Sequence, residues 1–154
     1  MLRTIHLLAG LLATLTIATF FSTTLFVELF GSHAAVASIK HRIVFPGLFV
    51  LVPAIAATGG TGFALSRARQ GRLVEAKKKR MPFIAANGLL VLLPAAIILD
   101  RWASHGAFDY WFYLVQAVEL LAGATNLTLM GLNIRDGLKL SGRWRSNQSA
   151  SVRP

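Results

Sequence analysis

The chain has no cysteine. Disulfide cross-links, thiolate metal sites and cysteine nucleophiles are therefore excluded, and nothing follows about redox compartment. Acids are scarce as well: six Asp and Glu stand against sixteen Lys and Arg, a formal net charge of +10. That balance raises the question of nucleic acid, but no nucleic-acid-binding motif or aromatic platform accompanies it, so no such partner is expected. No lysine follows the glycines of TGGTG at residues 58–62 in the spacing of a phosphate loop, and they read as close-packing positions. No serine stands in a recognisable nucleophile elbow, and no catalytic pair is visible. The chain reads as non-enzymatic.

What the sequence does contain is apolar length. Over 154 residues it is 55% hydrophobic, too apolar for an ordinary soluble domain. Four runs stand out, at residues 4–30, 43–65, 82–99 and 110–133. Each is near or above the ~18 residues that mark a spanning helix. The first is followed by Ala34, Ala35, Val36 and Ala37 and has the outline of a signal peptide, but its length and its polar face argue for a span. The predicted fold is all-α, a four-transmembrane-helix antiparallel bundle running up-down-up-down over residues 1–142. A disordered cytoplasmic tail is expected over 143–154, where RSNQSASVRP turns polar.

The basic residues sit between the apolar runs. Arg67, Arg69, Arg72, Lys77, Lys78, Lys79 and Arg80 crowd the second connection, and Arg135, Lys139, Arg143, Arg145 and Arg153 follow the last run. The opposite side holds Lys40, Arg42 and Arg101, balanced by Glu28, Asp100 and Asp109. By the positive-inside rule both termini and the central connection face the cytoplasm of a bacterial inner membrane. Lys77, Lys78, Lys79 and Arg80 are candidates to meet anionic lipid headgroups, and a membrane-protein partner or a second copy is a further expectation. Pro82 reads as the start of the third helix, where its missing N–H costs nothing.

The last run, inside residues 109–136, carries the most information. Asp109, Phe112, Gln116, Glu119, Gly123, Asn126, Met130 and Asn133 follow steps of three and four and share one helical face. Intramembrane polar groups turn toward protein or water, so this face looks into the bundle. The first run has its own face: His6, Gly10, Ala13, Ile17, Phe20, Thr24 and Glu28. Glu119 lies roughly 14 Å below Tyr110 and is expected to be protonated unless a cation reaches it. Its neutral O–H is then a donor for the Leu90 carbonyl that Pro94 leaves free. Proton-coupled transport through Glu119 is the functional alternative.

His6 is the one histidine inside an apolar run. A neutral imidazole ligates haem iron, Gly10 one turn on leaves room for a macrocycle edge, and Met130 is the plausible second ligand, with Asn87 at the same level. A redox protein holding haem b or quinone near His6 is thus the main alternative to an accessory or assembly component. The loop histidines His33, His41 and His105 lack a regular metal spacing, and no metal site is assigned.

The stretches HLLAGLLATLTIATFF, IKHRIVFPGLFVLVPAIAATGGTG and KKKRMPFIAANG resemble small four-span membrane proteins of proteobacteria. The early histidine and the spacing from Arg42 to Pro46 are similar, more distantly, to four-helix haem membrane proteins of the protoporphyrinogen-oxidase-like and copper-resistance-D-like groups. That likeness covers the first two spans and implies His6 as a haem ligand.

Overall fold

A computed structural model describes residues 1–67 and 71–140. The proposed tail 143–154, with Arg69 and the boundary at 142, lies outside these residues. The described chain is helical throughout, with no strand. Helix α1 spans Leu2–Phe30; α2 spans His33–Arg42 and runs through a bend at Ile43–Gly47 into α3, Leu48–Arg67. Helix α4, Arg72–Asn87, continues through a wide turn at Gly88–Leu92 into α5, Leu93–Ser104, and α6 spans Tyr110–Leu140. These make four membrane-length units: Leu2–Phe30, His33–Arg67, Arg72–Ser104 and Tyr110–Leu140. Each is long and apolar enough to cross a bilayer, so the chain is a multi-pass membrane protein with a four-helix bundle fold.

Contacts between the units order them antiparallel. His6 near the start of the first meets Thr58 and Thr61 near the end of the second. Arg80 near the start of the third meets Asn133 and Asp136 near the end of the fourth. One end of the bundle therefore holds the N-terminus, Arg67, Arg72 and the end of α6; it is called the termini end below. The other, the turn end, holds the tight connections at Gly31 and Gly106. Gly106 has φ +70, a left-handed conformation that a side chain would strain.

The polarity is inverted relative to a soluble bundle. Exposed positions include Leu8, Leu15, Phe26, Phe49, Phe63, Leu90 and Leu121, while the interior buries Thr24, Lys40, Gln116, Asn126, Asn133 and Asp136 among alanines. Lipid solvates leucine and phenylalanine as well as protein does, so the bundle gains little by hiding them. It gains more by hiding small residues, which bring backbones close, and polar ones, which find partners there. Among the described residues a compact apolar layer forms from Val36, Leu99, Ala103 and Phe112 at the turn end, with Val27, Trp102 and Phe108 packed on it.

Three expectations change at the boundaries. Residues 33–42 are helical and belong to the second span rather than to a loop, because Ser32 caps the helix by accepting from the Ala35 N–H at 3.3 Å. The third unit begins at Arg72, not Pro82, so Pro82 sits within the helix and the basic run Lys77–Arg80 is helical too. At the bend, Phe45 is extended (φ −132, ψ 115) and Pro46 follows it. Gly47 lets α1 approach there: a Cβ would overlap the Phe20 ring and lie 2.9 Å from the Arg42 carbonyl oxygen.

Candidate functional site

The predicted polar face of α6 does turn inward. Phe112, Gln116, Gly123, Asn126 and Asn133 are buried, Glu119 and Met130 are partly so, and Asp109 stays at the surface, where its carboxylate accepts from the Phe112 N–H at 3.0 Å and caps the helix. The stripe continues one turn further than expected, to Asp136, which is 1% exposed. Its partners fall into three groups along the helix.

At the termini end, Asp136 accepts from Arg80 at 2.6 Å and from Arg135 at 3.2 Å. Asn133 accepts from the same Arg80 guanidinium at 3.4 Å and reaches Met81 Sδ at 3.6 Å. At mid-depth, Asn87 donates to the Asn126 side chain and to the Ala122 carbonyl, both at 2.9 Å, while Asn126 donates to the Ile84 carbonyl at 3.3 Å. These bonds lace α4 to α6. Gly123, packed on the Phe21 ring, lets α1 close against the same helix.

Toward the turn end stands a cluster of charges. Lys40 of α2, whose side chain is wholly buried, donates to the Glu119 carboxylate of α6. Gln116 donates to the same carboxylate oxygen at 3.0 Å. Glu28 of α1 is the third acidic or amide-bearing side chain here, close enough for Lys40 and Glu119 to act on it electrostatically. The Glu28 Oε1 and Gln116 Oε1 atoms are buried and have no hydrogen-bond partner. Val36 and Phe112, one turn nearer the end than Lys40 and Gln116, belong to the apolar layer that covers this cluster.

This geometry corrects the expectation for Glu119. Its partner is Lys40, and the donor role toward the Leu90 carbonyl is replaced by an acceptor role. Leu90 lies on the lipid-facing side at 76% exposure, and the wide turn Gly88–Leu92 absorbs the N–H missing at Pro94. Lys40 belongs to α2 of the second span rather than to a connecting loop. The signal was local: SHAAVASIK has a serine cap and places Lys40 one and two turns from Val36 and His33.

The haem alternative rests on His6, Gly10, Asn87 and Met130. The His6 Nδ1 lies 3.1 Å from both the Thr58 carbonyl and the Thr61 hydroxyl. Thr61 donates its own proton to the Ala57 carbonyl, so both neighbours accept and the imidazole carries its hydrogen on Nδ1. That tautomer suits a ligand, but the space does not. A Cβ at Gly10 would meet Thr58 Cγ2 at 3.5 Å, and one at Gly62 would meet His6 Cε1 at 3.0 Å, so α3 occupies the room a macrocycle edge needs. Asn87 is committed to α6, and Met130 is only partly buried. The residues do not fit a haem.

His33 and His41, which lie in α2, and His105 are also dispersed. His33 stacks on Phe108 at 4.1 Å, His41 faces Asp100 at 3.5 Å and His105 bonds the Arg101 carbonyl at 2.7 Å. Among the described residues no group of three His, Cys, Asp or Glu is placed to hold a metal ion. Comparison of the chain with protein-family models, with curated proteins and with solved structures finds no match.

Proposed function

We propose that the chain is a non-enzymatic integral protein of the bacterial inner membrane, an accessory or assembly component whose polar interior holds four spans in one arrangement. The observation that supports it most is how the interior polar groups are used. Arg80 with Asp136, Asn87 with Asn126, and Lys40 with Glu119 each tie two different spans together. Polar groups spent on joining helices specify a register, the best-attested use of buried polarity. Both termini and the connection between Arg67 and Arg72 face the cytoplasm in this reading, on the charge asymmetry of the sequence. Exposed Lys78 and Lys79 then stand at the headgroup level, where each basic residue contributes about 1 kcal/mol against anionic lipid.

Two measurements test it. Reporter fusions active only in the periplasm should work at His105 and fail at Arg72; the reverse pattern overturns the orientation. Detergent-purified protein from haem-replete cells should be colourless. A Soret band that His6→Ala removes would replace the accessory reading with the redox one.

A further inference from the structure

The hydrogen bonding of the turn-end cluster is incomplete. With Lys40, Glu119 and Glu28 all ionised it carries one more negative than positive charge, in a place where unpaired charge is costly. Its two partnerless buried atoms, Glu28 Oε1 and Gln116 Oε1, are both oxygens and so both need a donor. Gln116 is 3% exposed and gives its amide N–H to Glu119, so its carbonyl oxygen is held within the cluster rather than near water. Charge and hydrogen bonding therefore call for the same thing: one positive charge that arrives as a donor.

We propose that Glu28, Lys40, Glu119 and Gln116 form a binding site for one proton, taken up on the Glu28 carboxylate. The step is a protonation: an O–H bond forms on Glu28 with a proton from water, no other bond breaks and no redox partner is involved. It cancels the surplus negative charge and adds the kind of donor that the cluster lacks. Glu119 is the less suitable carrier, because its carboxylate already accepts from the Lys40 ammonium and from Gln116. A metal ion is disfavoured because the Lys40 ammonium already holds the cation position against Glu119.

Access runs through α1. Glu28 is partly exposed, while Lys40 and Gln116 lie beneath the apolar layer of Val36, Leu99, Ala103 and Phe112. The charged and titratable groups that act on Glu28 are Lys40 and His33 of α2 and Glu119 of α6. His33 itself is exposed at the turn end.

Infrared difference spectroscopy of the full chain in lipid nanodiscs, taken while pH is varied, tests the proposal. A carboxylic-acid C=O band that disappears as pH rises and shifts in D2O is expected in the wild type. Glu28→Gln should remove it; Glu28→Asp should keep it titrating at a displaced frequency, which serves if the glutamine variant does not fold. The proposal is overturned by a wild type without such a band, by a band that survives Glu28→Gln unchanged, or by one that sodium ions abolish at constant pH.

Discussion

The two charged regions of the interior differ in how completely they are neutralised. At the termini end a single carboxylate, Asp136, faces two guanidinium groups, and Arg80 and Arg135 remain 23% and 50% exposed. Those arginines keep a route to headgroups and water, so their charge never has to be balanced wholly inside the bundle. At the turn end the positions are reversed. The cation, Lys40, has no exposed side-chain surface; it is bonded to Glu119, with Glu28 within electrostatic reach. A snorkelling cation makes a tolerant joint, whereas a buried one makes a joint that fails when either partner is lost.

Breaking the buried joint should have the largest effect. Lys40→Met leaves Glu119 and Glu28 without a cation and should lower stability in detergent by about 3–5 kcal/mol, read as a fall in the thermal midpoint. Adding Glu119→Leu should recover most of that loss, because an apolar pair replaces a lone charge. Glu119→Gln should cost less than Lys40→Met, since Glu28 remains to face the ammonium. Equal losses in the two single variants would show that Glu28 takes no part.

The termini end should yield less. Asp136→Asn keeps an acceptor for Arg80 and lets both arginines turn outward, so a loss of about 1–3 kcal/mol is expected. The contrast sharpens if raised salt narrows the difference between wild type and Asp136→Asn but leaves that of Lys40→Met unchanged, because screening reaches only the exposed partners. Similar salt responses would remove the distinction between the two ends.

The uncharged ladder between them should give the smallest change. Asn126→Leu removes its bonds to Asn87 and Ile84 at a cost of about 0.6–1.7 kcal/mol, the range for interhelical hydrogen bonds in membrane proteins. A loss as large as that of Lys40→Met would mean that Asn126, rather than the ion pair, holds α4 to α6.

Much of this was legible in the residues. Long apolar runs, positive connections and the three-and-four spacing of polar residues in the last run define four spans and the inward face of α6, because bilayer thickness and helical periodicity act locally along the chain. Asp136 was legible too, one step beyond Asn133 on the same stripe. The Lys40 pairing was not. A lysine near a span end ordinarily reaches outward to headgroups, and nothing in the local sequence distinguishes one that turns inward.

By itself, then, the sequence determined what each helix must hide: its amides and carboxyls on one face, its leucines and phenylalanines left to lipid. Only the tertiary structure decided which polar group meets which. The bend at Ile43–Gly47 joins α2 to α3 within the second span, and the wide turn at Gly88–Leu92 relieves Pro94 within the third, leaving Glu119 to Lys40. Gly10 and Gly62 are likewise small in sequence, but it is the approach of α3 that fills the space beside His6 with threonine rather than leaving it open. Spacing along one helix is set by covalent geometry; the partner across the bundle is set by how four helices cross and bend.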